Sequence, residues 1–306
     1  MSSEHSHSHG DFNELRKKSK SAMITVLVLT ITYMAIEVIA GIYTGSLALI
    51  ADAGHMLGDV AALILALIAV WFAGKTPSVS KTYGYYRTEI LAALLNGLAL
   101  IGLSLYILYE AFQRFTHPPE ILSGPMFGVA VGGLVINLIA MKLLSSSTDN
   151  SLNAKAAYLE VLGDLLGSVA VIIASLVIMF TGWKLADPLV SGFIGLMILP
   201  RTWTLIRECV HILMEGTPAH IDIQKLKERL TSVVGVLNVH DLHVWTITSG
   251  RDAISAHILV EETVQPDAIL SAISDIAQAE FNLHHSTLQI EQKECKSEQW
   301  ACMTAQ

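Results

Sequence analysis

Six apolar stretches, roughly 22–43, 47–72, 88–113, 124–144, 154–180 and 185–209, constrain this chain more than anything else in it. Each reaches the ~20 residues that a helix needs to cross a bilayer. Charge follows the same division. Residues 21–216 carry 21 charged side chains in 196 positions, whereas the last 90 residues carry 18. A soluble globule, with ~25% charged residues, is excluded by the 15% found here. The last 90 residues hold 12 acidic and 6 basic side chains, a net of −6 out of −8 for the chain. That balance repels nucleic acid and suits metal cations.

Lys and Arg accumulate on the cytoplasmic side of spans. Arg16, Lys17, Lys18 and Lys20 precede span one, Lys75, Lys81 and Arg87 separate two and three, Lys142 and Lys155 flank the four–five connection, and Arg201 and Arg207 close span six. The other side has Arg114 and Lys184. Both termini are therefore expected in the cytoplasm, with no signal peptide ahead of span one. Three cysteines, Cys209, Cys295 and Cys302, make no paired framework and fit a reducing compartment.

From Thr217 the pattern becomes that of a small soluble domain. A helix is predicted from about Asp222 to Val234, strands over VLNVHDLHVWTI and AISAHILV, a helix from Pro266 to Phe281, and a strand at STLQIE. The predicted fold class is thus an all-α six-span transmembrane bundle followed by a cytosolic two-layer α+β domain of order αββαβ. Its ~75 residues make a modest core, so pairing with a second copy is expected. The expected divisions are a flexible His-bearing arm over 1–20, the membrane domain over 21–214, the cytosolic domain over 215–292 and a Cys-bearing tail over 293–306.

Ionisable residues inside spans cost several kcal/mol each on insertion scales and mark function. His55 and Asp59 in GHMLGD, and Glu160 and Asp164 in YLEVLGD, are two pairs spaced i, i+4, each on one helix face. Where two such faces meet, one imidazole and three carboxylates converge, a set that suits four-coordinate Zn²⁺ without excluding Co²⁺ or Cd²⁺. Ca²⁺ and Mg²⁺ favour six or more oxygens and no imidazole. A lone polar residue in a span often does no more than hydrogen-bond between helices, but two matched pairs of metal-ligand type go beyond that. Gly54, Gly58, Gly163 and Gly167 allow close helix approach there. With His55 neutral the ligands carry three negative charges, so metal and protons compete for one site. That competition is what an exchanger requires. No phosphate-binding loop and no DKTG segment is present, which argues against ATP use. An enzyme reading would want an HExxH or a base beside GHMLGD and finds neither; a pure sensor would want an effector domain.

SLALIADAGHMLGD, TYGYYRTEILAALLNG, YLEVLGDLLGSVAV, and HDLHVW with SAHILV together resemble the cation diffusion facilitator family of metal/proton antiporters, from about residue 20 to 295. The resemblance implies a homodimer with six spans per protomer, a transport site from spans two and five, and a cytosolic domain of copper-chaperone-like fold. Glu160 stands where zinc-selective members carry a second His, as in the bacterial zinc, cobalt and cadmium exporters of the inner membrane. The harder carboxylate implies broader metal tolerance. Arg87 and Glu215 match a charge interlock of the dimer, while Asp187 in DPLV reads equally as the N-cap of span six.

The same resemblance implies cytosolic zinc ligands at His240, His257, His284, Glu291 and Cys295. Strand parity puts His240 and His243 on opposite faces, so they should not share a site. Such zinc would stabilise the dimer and sense cytosolic metal. The arm histidines His5, His7 and His9 are either a weak metal collector or a solvated tail.

Overall fold

The computed structural model describes residues 8–73, 78–145, 152–248 and 250–293. In chain order the elements are α1 Ser8–Thr44, α2 Leu47–Ala73, α3 Arg87–Thr116, α4 Ser123–Ser145, α5 Leu152–Thr181, α6 Ala186–Leu213, α7 Ile223–Thr231, β1 Val236–Thr248, β2 Arg251–Val260, α8 Pro266–Phe281 and β3 His285–Glu291. The chain separates into two compact units: Met1–Leu65 with Leu95–Thr204, and Ala66–Leu94 with Leu205–Gln306.

Among the described residues five helical segments are long and apolar enough to span a bilayer: Ile24–Thr44, Arg87–Thr116, Ser123–Leu143, Val161–Thr181 and Ala186–Leu213. In α2 the described apolar run is the shorter Leu47–Gly58. The interior is built from apolar residues, among them Ala48 and Leu49 of α2, Ile107 of α3, Met126 of α4, Val171 of α5 and Ile194 of α6. The outward faces carry Ile39, Ile42, Phe112 and Phe180 at 69, 71, 71 and 80% exposure. Water would not tolerate apolar surface on that scale, whereas lipid does. At Gly54 and Gly58 a Cβ would lie 2.6 and 2.8 Å from Leu103 and Leu100 side-chain carbons, so α2 and α3 touch at van der Waals distance where α2 carries its polar residues.

One end of α2 is held by an arrangement that the sequence pattern did not indicate. The Asp187 carboxylate, fully buried in the first turn of α6, accepts from the Ser46 hydroxyl at 2.6 Å and from the backbone N–H groups of Leu47 and Ala48 at 2.9 and 3.2 Å. Asp187 thus caps the N-terminus of α2, where unpaired N–H groups and the helix dipole both favour an anion. Arg114 of α3 lies 3.5 Å from the same carboxylate and donates to the Gly45 carbonyl at 2.6 Å.

The basic segment before span one departs from expectation. The arm predicted as flexible over 1–20 is helical from Ser8, continuous with α1. Its ELRKKSK run consists mostly of good helix formers, and extending an existing helix adds one hydrogen bond per residue without a new nucleus. His5 and His7 lie outside the described residues.

In the second unit the sheet order is β1-β2-β3, with β1 antiparallel to β2 and β2 parallel to β3. Ile254, Ala256 and Ile258 alternate onto one face and pack against Leu226 and Leu230 of α7 and Ile269 and Ile273 of α8. Fully burying one such side chain contributes ~1.5–3 kcal/mol. The ends of these helices follow their sequence. Asp222 caps α7 through Gln224 and Lys225 N–H at 3.0 and 3.2 Å, and Asn282, left-handed at φ 58°, ends α8. Arg229 grips the Glu280 carboxylate and holds it below the ordinary Glu range, by hydrogen bond and then by charge. Its contribution is therefore present above that range and lost as pH falls through the lowered value; with both groups exposed, it is small. The first turn of α3 belongs to this unit as well. Thr248 donates to Glu89 at 2.6 Å, Arg251 lies 4.6 Å from the Tyr86 ring centre, and Arg87 meets Glu215 at 2.8 Å. Both partners of that last pair are at least two-fifths exposed, which limits it to under ~1 kcal/mol.

Candidate functional site

The two i, i+4 pairs both fall on unbroken helix, His55 and Asp59 on α2 and Glu160 and Asp164 on α5. His55 and Asp164 meet. Imidazole Nε2 lies 3.7 Å from carboxylate Oδ1, with side chains 13 and 7% exposed. At that distance the two groups are neighbours rather than partners in a close hydrogen bond. The side chains of Asp59 and Glu160 lie outside the described residues. Two contacts fix the helices around the pair: Asn137 of α4 donates to the Ser168 hydroxyl of α5 at 3.2 Å, and Asn96 of α3 donates to the Gly58 carbonyl at 3.2 Å. The donors are an imidazole nitrogen and a carboxylate oxygen in an apolar interior. An unpaired charge is costly there, and donors of this kind are ones that divalent cations take.

A second cluster lies on the sheet face turned away from α7 and α8. His240 on β1 stands opposite His257 on β2, with ring centres 5.3 Å apart, and Glu291 ends β3 beside them. Ligand atoms of all three lie within 4.8 Å of one another. Glu291 bridges the histidines, with Oε2 3.2 Å from His240 Nε2 and Oε1 2.9 Å from His257 Nδ1. His257 Nδ1 is buried and makes no hydrogen bond. Two nitrogens and a carboxylate oxygen are a zinc-like donor set.

Of the five cytosolic residues expected as ligands, these three converge. His284 does not join them: it is exposed and bonded to Asn282 Oδ1 at 2.9 Å. The left-handed Asn282 ends α8 and turns the chain before β3, which leaves His284 ahead of the strand. Cys295 lies outside the described residues.

The parity expectation for His240 and His243 is corrected. His240 pairs with His257 but His243 pairs with Ser255, so β1 carries one extra residue and both histidines emerge on the same face. Asp241 makes the bulge at φ 51°, a left-handed conformation that Asp tolerates better than most residues. The bulge turns the Asp241 carboxylate to the cluster, 3.7 Å from His257 Nε2, while its other oxygen meets His243 Nε2 at 3.0 Å. Asp241 is the cluster residue that sequence reasoning missed, and an Asp inside a β-rich run was the available signal.

The cation efflux transmembrane domain matches residues 23–214 and the cytoplasmic domain of cation efflux proteins matches residues 218–293. The metal cation efflux system protein CzcD of Cupriavidus metallidurans is 44% identical over 297 residues, covering 97% of this chain and 92% of that one. A cadmium, cobalt and zinc/H(+)-K(+) antiporter of Bacillus subtilis is 41% identical, covering 94 and 91%, and the zinc transporter ZitB of Escherichia coli is 39% identical, covering 95 and 93%. Among solved structures, the metal-bound C-terminal domain of the CzcD transporter from the first organism is 28% identical, covers 23% of this chain and 99% of that one, and has a TM-score of 0.23. With matches across both its apolar helices and its small sheet domain, this multi-pass membrane protein is a transporter rather than an enzyme, and it belongs to the cation efflux family.

Proposed function

We propose that the protein is a proton-coupled antiporter that exports divalent metal from the cytosol, zinc foremost with cadmium and cobalt also carried. The observation that carries this reading is the meeting of His55 and Asp164 at 3.7 Å in the buried interior, on faces that also bear Asp59 and Glu160. The four form the transport site, and α2 supplies the sixth span beside the five membrane-length helices. The divisions are a cytosolic arm over 1–20, a membrane domain over 21–214, a cytosolic domain over 215–292 and a tail over 293–306. Both termini lie in the cytoplasm, by the Lys and Arg distribution, and the membrane is the inner membrane. The names of the relatives, which include metal efflux, zinc transport and H(+) exchange, support the same reading.

The mechanism follows from charge. An occupied site holds three carboxylates and two cationic charges; an empty one would bring three anionic groups together in a low dielectric and must take up protons. Metal leaves as protons arrive, so alternating access moves the two in opposite directions. The test loads the purified protein into liposomes, imposes a pH gradient and follows zinc with an internal dye. Zinc should move against its own gradient only while the proton gradient lasts. Equal zinc movement with the gradient collapsed would end the proton-coupled reading.

The cytosolic cluster has a separate part in this proposal. His240, His257 and Glu291, joined by Cys295 from the tail, hold a resident zinc that stabilises a homodimer through the cytosolic domain. Zinc binding to the folded form at about 100 times its Kd adds ~2.7 kcal/mol of stability. The protein with both His240→Ala and His257→Ala is expected to bind fewer zinc ions in equilibrium dialysis and to lose the zinc-dependent rise in melting temperature. Unchanged zinc content would remove the cluster from the metal sites.

A further inference from the structure

The first unit buries a second set of ionisable groups that the metal site does not use. Glu37 of α1 and Asp52 of α2 are 1 and 2% exposed, and their carboxyl groups are neighbours. Tyr33, one turn before Glu37, is 2% exposed. It sits in the notch left by Gly133 of α4, where a Cβ would lie 2.1 Å from its hydroxyl oxygen. No Lys or Arg faces the pair among the described residues. Asp164 of α5 lies near the pair, His55 follows Asp52 by about a turn on α2, and α4 places the Val129 carbonyl and Gly133 beside Tyr33.

The hydrogen bonds of this cluster do not balance without an added proton. The Tyr33 oxygen lies 2.6 Å from Glu37 Oε1 and 3.1 Å from the Val129 carbonyl, yet a phenol has one hydrogen to give. Both contacts are satisfied together when Glu37 donates to Tyr33 and Tyr33 donates to Val129. Glu37 Oε2 is buried with no hydrogen-bond partner. Its carboxyl neighbour Asp52 is also an acceptor when ionised, so no bond forms between them while both are deprotonated. Two anions in contact in the bilayer interior would otherwise repel strongly.

The location matters as much as the chemistry. Asp52 is three residues before His55 on α2, and its Oδ1 occupies the space of a Cβ at Gly167, at 2.5 Å, three residues after Asp164 on α5. The pair is therefore about one helical turn from both described members of the metal site. On α2 and α5 alike it is displaced from those residues toward the end that carries the α1–α2 and α5–α6 connections. In the proposed orientation that is the outer end, where protons enter.

We propose that Asp52 and the Tyr33-bonded Glu37 share a proton and form a proton-carrying site of the exchanger distinct from the metal ligands. The inference rests on the proton-coupled reading above. The proton is taken from the outer medium when the bundle opens outward and given to the cytosol when it opens inward, with no bond change beyond the O–H.

The test compares wild type with Glu37→Gln and Asp52→Asn in proteoliposomes carrying zinc and pH dyes, beside infrared spectra of the same full-length protein. In either variant the protons moved per zinc should fall by about one, while zinc affinity measured in detergent stays within about threefold. The carbonyl stretch of a neutral carboxylic acid, present in wild type at neutral pH, should vanish in Glu37→Gln. In Tyr33→Phe, which keeps both carboxyls, that band should shift as its hydrogen bond is lost. An unchanged proton-to-zinc ratio in both carboxyl variants, or a spectrum untouched by all three substitutions, overturns the proposal. Should wild type itself move zinc without protons, the exchange reading falls, and the infrared bands still decide whether the pair holds a proton.

Discussion

Asp164→Asn protein is expected to export no measurable zinc, a loss of at least ~100-fold in transport at limiting metal, while reaching the membrane in normal amount. Residues that only hydrogen-bond to a metal ligand already cost ~10–100-fold in affinity when removed, and Asp164 lies in direct reach of His55. The substitution keeps shape and volume but removes one of three anionic charges. A carboxamide also presents an N–H₂ group to the imidazole that a metal would share. Two consequences separate this from a folding defect. The empty variant is under less internal repulsion, so its melting temperature should equal or exceed that of wild type in the absence of metal. Zinc should then fail to raise it through this site. Transport within tenfold of wild type would move Asp164 out of the metal's path.

Parts of this architecture could be read from the chain and parts could not, for physical reasons. His55 and Asp164 were legible because an ionisable residue in an apolar span is costly and because the 3.6-residue period fixes which residues share a face. Glu37 carried the same signal in α1. A single carboxyl in one span, however, does not disclose its partner, which comes from α2 in space. In the cytosolic domain the strands and helices followed their periods closely, and His240, His257 and Glu291 came together across the sheet. Parity failed at Asp241, since a period of two assumes an uninterrupted ladder and a bulge reverses it for every later residue. His284 shows the converse limit: a histidine beside a strand is placed by the preceding left-handed turn, and its sequence neighbourhood does not report that direction.

Asp187→Ala should be the most destabilising single change in the first unit, by ~3–5 kcal/mol, the range found when one partner of a buried ion pair is removed. Local pattern placed Asp187 at the start of its own helix, and so it is. Its carboxylate, however, serves α2, because both helix ends present free N–H groups and only packing decides which receives the anion. Removing it leaves the N–H groups of Leu47 and Ala48 and the Ser46 hydroxyl without their acceptor, each worth ~1–3 kcal/mol when buried and unmade. It also leaves Arg114 with Glu110 at 3.0 Å as its remaining carboxylate. Asp187→Asn should fall between, since its amide oxygen can still accept while its charge and one acceptor are gone. In detergent the alanine variant should melt on the order of 10 °C below wild type. The effect should reach transport too, because His55 lies about two turns along the helix that Asp187 anchors. Zinc affinity should therefore weaken in the alanine variant by more than in Asp187→Asn, in the same order as the melting temperatures. A variant that melts normally but binds zinc poorly would point instead to a direct contact between Asp187 and the cation.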